Sequence, residues 1–158
     1  MDICIRTAEQ NDYESLLPLF KQVHDIHVFE RPDLYKENST PVEQKFFESQ
    51  LMDDKQHIFV AISGNEMGGV IVTKEEETLE NSFVQSRKVL RVNSLSVHEK
   101  YRKKGIGEKL ATYVFDLGRS LGVDSVELGV SESNTSAIEF YKSIGMRTKS
   151  RKMEIKLN

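Results

Sequence analysis

The chain has 158 residues, enough for one domain with its own core. Hydrophobic residues make up 38% and charged residues 30%, with a net charge of −3, so the general basic excess of a nucleic-acid binder is absent. One cysteine, Cys4, rules out an internal disulfide, and no Cys/His cluster has zinc spacing. The chain is thus compatible with a reducing cytoplasm. Asp2 and Arg6 interrupt the first apolar run, so no secretory signal is expected. No apolar run approaches the ~20 residues of a membrane span. Without repeats or low-complexity linkers, a single domain over 1–158 is expected.

Asp2 to Thr7 alternates, with Ile3 and Ile5 on one side, and reads as a first strand with Cys4 a small strand residue. Glu9 to about Phe29 has helical spacing, interrupted by Pro18, which kinks the helix or marks its start. His24 and His27 share a face of it and are expected to be solvated or to face a substrate. A second helix is expected to run from an N-cap at Thr40, through Pro41 and the capping-box residue Glu43, to about Met52 or Asp53. Phe46, Phe47 and Leu51 would supply its contacts.

His57 to Ser63 and Met67 to Thr73 read as a hairpin around Gly64-Asn65. Gly68 and Gly69 mark a bulge or a close backbone approach in its second arm. Lys74 to Ser86 reads as a polar loop whose glutamates are solvated, or form an acidic rim that attracts an amine. Lys88 to Val97 is a long strand. Ile106, Leu110, Tyr113, Val114, Leu117 and Leu121 then describe one face of a helix that Gly122 ends. Val123 to Val130 is a strand, expected to run parallel to 88–97 through a right-handed crossover. Thr135 to Ser143 is a short helix, and Met146 to Leu157 is expected to form a terminal antiparallel hairpin.

Between the long strand and its helix lies Leu95-Ser96-Val97-His98-Glu99-Lys100-Tyr101-Arg102-Lys103-Lys104-Gly105-Ile106-Gly107. Two glycines permit a tight turn and close ligand approach. The free N–H groups of the helix start, beside three basic side chains, suit a phosphate or pyrophosphate. The stretch lacks the glycine spacing and Lys-Ser/Thr of a Walker loop. It lacks the third glycine of a dinucleotide fingerprint, since position 110 is Leu.

The pattern resembles the acetyl-CoA loop of the GNAT superfamily of N-acetyltransferases, Arg/Gln-x-x-Gly-x-Gly/Ala. Ser131 to Asn134, followed by Ala137 to Met146, resembles the same family's Asn…Ala-x-x-x-Tyr-x-x-x-Gly-Phe signature, with Met146 in place of Phe. The element order matches too, so the likeness spans essentially the whole chain. It implies a mixed α/β fold: a mostly antiparallel central sheet with one parallel βαβ unit, flanked by helices. It implies acetyl-CoA as co-substrate, an amine acceptor, no metal, and no nucleic-acid or membrane partner. Terminal strands often pair across family interfaces, so a homodimer is compatible with it.

The resemblance also assigns sites. Arg102, Lys103, Lys104, Gly105, Ile106 and Gly107 would hold the CoA pyrophosphate. Leu95, Ser96 and Val97 would pair with the pantetheine arm as an added strand. Asn134 would bond that arm, and Tyr141 would protonate the departing thiolate. Phenol, with a reference pKa of ~10, keeps its proton at neutral pH. The expected reaction is direct attack of a neutral amine, with a backbone N–H near Ser96 or Val97 stabilising the oxyanion.

A base must first take the ammonium's proton. Ribosomal-protein N-terminal acetyltransferases of the family place a glutamate five residues before the Asn. Gly129 stands there instead, which argues against a protein N-terminus as acceptor. Glu127, Glu30 and Asp33 are the alternatives, with Glu127 and Glu30 named as candidate catalytic residues. The expected function is acetyl transfer to a primary amine of a small molecule or peptide. The rival expectation is a non-catalytic CoA-binding module on the same fold.

Overall fold

The computed structural model describes residues 2–158. In chain order the elements are β1 (Ile3–Thr7), a 3-10 turn (Gln10–Asp12), α1 (Tyr13–Glu30), α2 (Gln44–Leu51), β2 (Gln56–Ser63), β3 (Glu66–Thr78) and β4 (Arg87–Val97). A second 3-10 turn (Glu99–Tyr101), α3 (Ile106–Leu121), β5 (Ser125–Leu128) and α4 (Thr135–Ser143) follow. The strands form one sheet in sequence order, antiparallel except for the parallel β4–β5 pair. This is the mixed α/β architecture expected from the sequence.

Side chains alternate across the sheet and build a core on each face. Ile58, Val60, Val70 and Val72 meet Leu16, Leu19 and Phe20 of α1 and Phe47 of α2. Phe59, Ala61, Ile71, Leu90 and Val92 meet Ile106, Leu110 and Val114 of α3. Gly69 makes the α3 contact possible: a Cβ there would lie 2.9 Å from Ile106 Cγ2.

The first helix is continuous from Tyr13 despite Pro18. Pro18 lies in its second turn on the exposed side, so the carbonyl it leaves without an intrahelical donor, that of Glu14, is on a solvent-facing residue. At the start of the helix Arg6 donates two hydrogen bonds of 2.8 Å to the Asp12 carboxylate, which also accepts from the Glu9 N–H at 2.7 Å. The Arg6 hydrogen bonds hold the Asp12 carboxyl below its ordinary pKa. Asp12→Ala is therefore expected to cost about 1 kcal/mol at pH 7, the worth of a charge-assisted pair discounted for the solvent exposure of Arg6. A depressed folded pKa contributes stability above the unfolded carboxyl value of ~4 and loses it as pH falls through the folded value. Denaturant titrations of both proteins at pH 7 and in acid should show the gap closing in acid.

Four expectations change. The second helix begins at Gln44, with Glu43 extended, not at Pro41. Asn38 Oδ1 accepts from both the Thr40 N–H and its hydroxyl, and the Val42 carbonyl accepts from the Tyr13 hydroxyl at 2.7 Å, so no capping box forms. Phe47 is buried, whereas Phe46 is exposed.

The polar loop is confined to 79–86, because β3 continues to Thr78 opposite Arg87. Glu75 is hydrogen-bonded to His57 at 2.7 Å and Glu76 to Arg91 at 2.9 Å, so neither belongs to an open acidic rim. The fifth strand is four residues long, Ser125–Leu128, shorter than the expected 123–130.

No terminal hairpin forms: residues 146–158 join no ladder. Their charges find partners elsewhere instead. Lys149 pairs with Glu127, Arg151 with Glu132, Glu154 with Arg31, and Lys156 with Asp33. These contacts hold the tail against β5 and the end of α1.

Candidate active site

The site begins where β4 and β5 part. They pair only from Val89–Ser125 to Val92–Leu128. At that point Asn93 is the extra residue of a bulge against β3, since Val72 faces Ser94 while Thr73 faces Val92. Beyond it, residues 93–97 keep β3 on one side and, among the described residues, have no strand on the other. The His98 N–H bonds the Gly68 carbonyl at 2.8 Å. Antiparallel alternation then turns the polar groups of Leu95 and Val97 to the open edge and those of Ser96 toward β3. An oxyanion donor on this edge would therefore be Leu95 or Val97, not Ser96.

Gln22 of α1 occupies part of that edge, which sequence reasoning missed. Its Nε2 donates to the Val97 carbonyl at 2.8 Å and to Ser96 Oγ at 3.3 Å, while Ser96 Oγ donates to the Leu19 carbonyl at 3.0 Å. A lone glutamine on a helix gives no signal in sequence, because its partner lies 75 residues away.

Past Val97, the second 3-10 turn is fixed by Glu66, which accepts from Lys100 Nζ at 3.0 Å and from the Tyr101 hydroxyl. Lys100 is thus committed to Glu66. Arg102, Lys103 and Lys104 are exposed and, among the described residues, have no carboxylate partner within 4.0 Å. Lys103 (φ 60°) and Gly105 (φ 83°) both adopt the left-handed conformation. For Lys103 this is a strained state, of the kind that collects at ligand sites. The successive N–H groups of such a turn, leading into the free amides of α3, are donors of the kind that could hold an anion.

Gly107 brings three elements together: a Cβ there would be 3.2 Å from Phe140 of α4 and 3.6 Å from Val97 of β4. The strand end, the loop and α4 therefore converge. On α4, Asn134 Oδ1 caps the helix by accepting from the Ala137 N–H at 3.2 Å, which leaves the amide NH2 as the group for a ligand. Tyr141 is half-buried, and burial raises its pKa above the ordinary value of 10.0.

The candidate bases separate clearly. Glu127 Oε2 accepts from Lys149, Ser125 and Arg87, each at 2.8 Å, with Arg91 3.8 Å from Oε1. Lys149, then Ser125 and Arg87, hold its pKa down to about 2. A carboxylate so engaged is a poor proton acceptor and works as an ion-pair hub. Asp33 is likewise taken by Arg31 at 2.8 Å and Lys156 at 3.5 Å, which lower its pKa. Glu30 differs. Its Oε2 accepts from Ser133 Oγ at 2.5 Å, next to Asn134, and its Oε1 is buried with no hydrogen-bond partner among the described residues.

A cavity of about 230 Å³ lies between α1, the approach to α2 and the β4 bulge. His24 and His27 line it, as do Asn93 and Ser94. His24 Nε2 bonds the Lys36 carbonyl at 2.7 Å, and His27 stacks on Tyr35 with ring centroids 5.0 Å apart. Both histidines thus line a cleft. Cys4 is exposed, and no group of three His, Cys, Asp or Glu among the described residues could hold a metal ion.

The splayed parallel strand pair feeding a left-handed loop and a helix start is the arrangement that the resemblance to N-acetyltransferases implied. The chain belongs to the GNAT family of acetyltransferases, whose family model matches residues 20–146. It is 25% identical over 146 residues to the uncharacterized N-acetyltransferase MJ1207 of Methanocaldococcus jannaschii, covering 92% of this chain and 61% of that protein. The chain thus spans less than two thirds of this relative's length. A mutant of the BH1408 protein from Bacillus halodurans is 31% identical and superposes with a TM-score of 0.96, covering 98% of this chain and 99% of that one. The aminoglycoside N-acetyltransferase AAC(6')-Iy in complex with CoA shares the fold at 17% identity, with a TM-score of 0.76 over 98% and 94% of the two chains.

Proposed function

We propose that the chain transfers an acetyl group from acetyl-CoA to a primary amine of a small molecule or peptide by direct attack. The observation that carries this reading is the open β4 edge running straight into the left-handed loop and α3. An amide-bearing arm could add to that edge as a strand while its pyrophosphate met the loop amides and the side chains of Arg102, Lys103 and Lys104. Leu95 and Val97 would bond the arm from the edge, and Asn134 from α4. Gly105 and Gly107 let the backbone come close, with Ile106 anchored in the core.

In the reaction the ammonium first gives a proton to Glu30. Its nitrogen lone pair then forms the C–N bond at the thioester carbonyl, with an open-edge N–H facing the developing oxyanion. The C–S bond breaks, the Tyr141 hydroxyl protonates the sulfur, and the second proton of the attacking nitrogen passes through solvent to the phenolate, leaving the amide, free CoA thiol and neutral Tyr141. Glu30 suits the first step because one oxygen is anchored by Ser133 and the other lacks a partner. Glu30→Gln is expected to lower kcat by about 10²-fold, the lower end of general base effects, with acetyl-CoA affinity kept. Steady-state thiol release and calorimetry read the two quantities separately. The reading as a whole is tested by calorimetry with acetyl-CoA, and a chain that does not bind it would sink the proposal.

Two further features fit. A reducing cytoplasm suits the single, exposed Cys4. Among the described residues the outer edge of β5 lacks a strand partner, and Met153, Ile155 and Leu157 are exposed at alternate positions of the tail. A homodimer would cover both; sedimentation showing only monomer would exclude it.

A further inference from the structure

The cavity beside the β4 bulge says more about the acceptor than the family does. We infer that the acceptor is a small monoamine with a neutral apolar or aromatic body, not a polyamine or aminosugar. This rests on the acetyl-transfer reading above and names the class of its second substrate.

Three observations lead there. The first is size: at about 230 Å³ the cavity falls below the ~300 Å³ at which pockets for drug-sized ligands begin. The second is its lining. Phe20, Val23, Val42 and Val72 provide apolar wall, and none of the lining side chains is acidic. The polar groups present are imidazole, amide and hydroxyl.

The imidazoles also form a fixed surface. Because the Lys36 carbonyl can only accept, His24 Nε2 carries the proton of that 2.7 Å bond, which holds the ring in place. Tyr35 stacks on His27, with its ring planes 24° apart, and meets His24 edge-on at 87°. An imidazole wall backed by an aromatic ring favours a flat apolar body over a flexible hydrated one.

The third observation is the count of negative charge. Glu30 is not part of the cavity lining, but it lies three residues beyond His27 on the same face of α1, one helical turn from the cavity wall. Its Oε1 is the one buried side-chain oxygen or nitrogen among the described residues that lacks a hydrogen-bond partner. One such carboxylate matches one ammonium. The other carboxylates near this end of α1, Asp33 and Glu154, are already paired with Arg31. A second or third ammonium on the acceptor would enter the cavity without a counter-charge, which burial penalises.

The test uses the full chain. CoA binding is measured first by calorimetry. Thiol release from acetyl-CoA is then followed with phenethylamine and tyramine on one side and spermidine and kanamycin on the other. The expected result is a kcat/KM at least about ten-fold higher for the arylalkyl monoamines, equivalent to the ~1.4 kcal/mol at the lower end of the penalty for an unpaired buried group. Val23→Phe, which fills the cavity, should raise KM for phenethylamine about ten-fold while leaving CoA affinity unchanged.

A chain that does not bind CoA overturns the acetyl-transfer reading itself. With CoA bound, a preference for spermidine or kanamycin overturns the acceptor class alone. So does an absence of turnover with both monoamines, or a Val23→Phe variant with wild-type KM.

Discussion

Tyr141→Phe is expected to lower kcat by about 10²–10³-fold and to leave the dissociation constant of acetyl-CoA within a factor of two. The substitution removes one oxygen and keeps the ring, so α4 should stay in place. That helix is positioned by other contacts. Phe140 packs over Gly107, and Asn134 caps the first turn. The Phe140 and Tyr141 rings meet at 5.3 Å through their carbon frames.

What disappears is a proton donor. Burial raises the Tyr141 pKa above 10.0, so the phenol holds its proton through the neutral range and has one to give to a thiolate leaving group. A raised pKa also fixes the sign of the pH effect. The acid form is the active one, so its contribution to kcat should persist from neutral pH to beyond 10 and decline only above that. Steady-state thiol release across pH, beside calorimetry at pH 7, checks both statements. Equal kcat in the two proteins would remove Tyr141 from the chemistry. Cofactor binding without turnover in either protein would favour the non-catalytic CoA-binding module.

The glycine-containing loop and the helices around it were legible in the sequence because their signals are local. A strand, a glycine pair and an apolar face at intervals of three and four specify the step from Val97 to Ile106 within a few turns of chain. The same holds for Asn134, where an N-cap residue directly precedes a short helix. Legibility failed where a distant partner decides the outcome. Thr40, Pro41 and Glu43 have the spacing of a helix start, yet Asn38 takes the threonine hydroxyl and Tyr13, 29 residues away, takes the Val42 carbonyl. The cluster Glu75-Glu76-Glu77 reads as loop by composition. Its strand conformation comes from pairing with β4, and His57 and Arg91 take up the first two charges.

The site shows the same division. Glu127 and Glu30 are equivalent in sequence, two glutamates near the right elements. Three cations converging on Glu127, and none on Glu30, separate them only in the folded chain. Lys103 in a left-handed conformation had no sequence signal, since lysine carries no preference for it.

Gly105→Val is expected to weaken acetyl-CoA binding by about ten-fold or more, equivalent to ~1.4 kcal/mol, while the chain still folds. Gly105 is the N-cap of α3 at φ 83°, and a Cβ there would meet nothing within 4 Å. The penalty is therefore conformational and not steric. A left-handed residue with a side chain costs roughly 1–2 kcal/mol, and a β-branched one more. The chain can relieve that cost by moving φ toward negative values, and doing so reorients the amides that follow, those of Ile106 and Gly107.

Stability loss alone would not distinguish this from ordinary strain, so Gly122 is the control. It ends the same helix, also left-handed at φ 72°, and also has open space where a Cβ would stand. Gly122→Val should lower Tm by a similar amount and leave acetyl-CoA affinity unchanged, because the strain lies at the far end of α3. Calorimetric titration and thermal melts of both variants give the comparison. Equal loss of affinity in the two would mean that the loop at Gly105 has no special part in holding the phosphates, and the cradle would have to be sought elsewhere on the β4 edge.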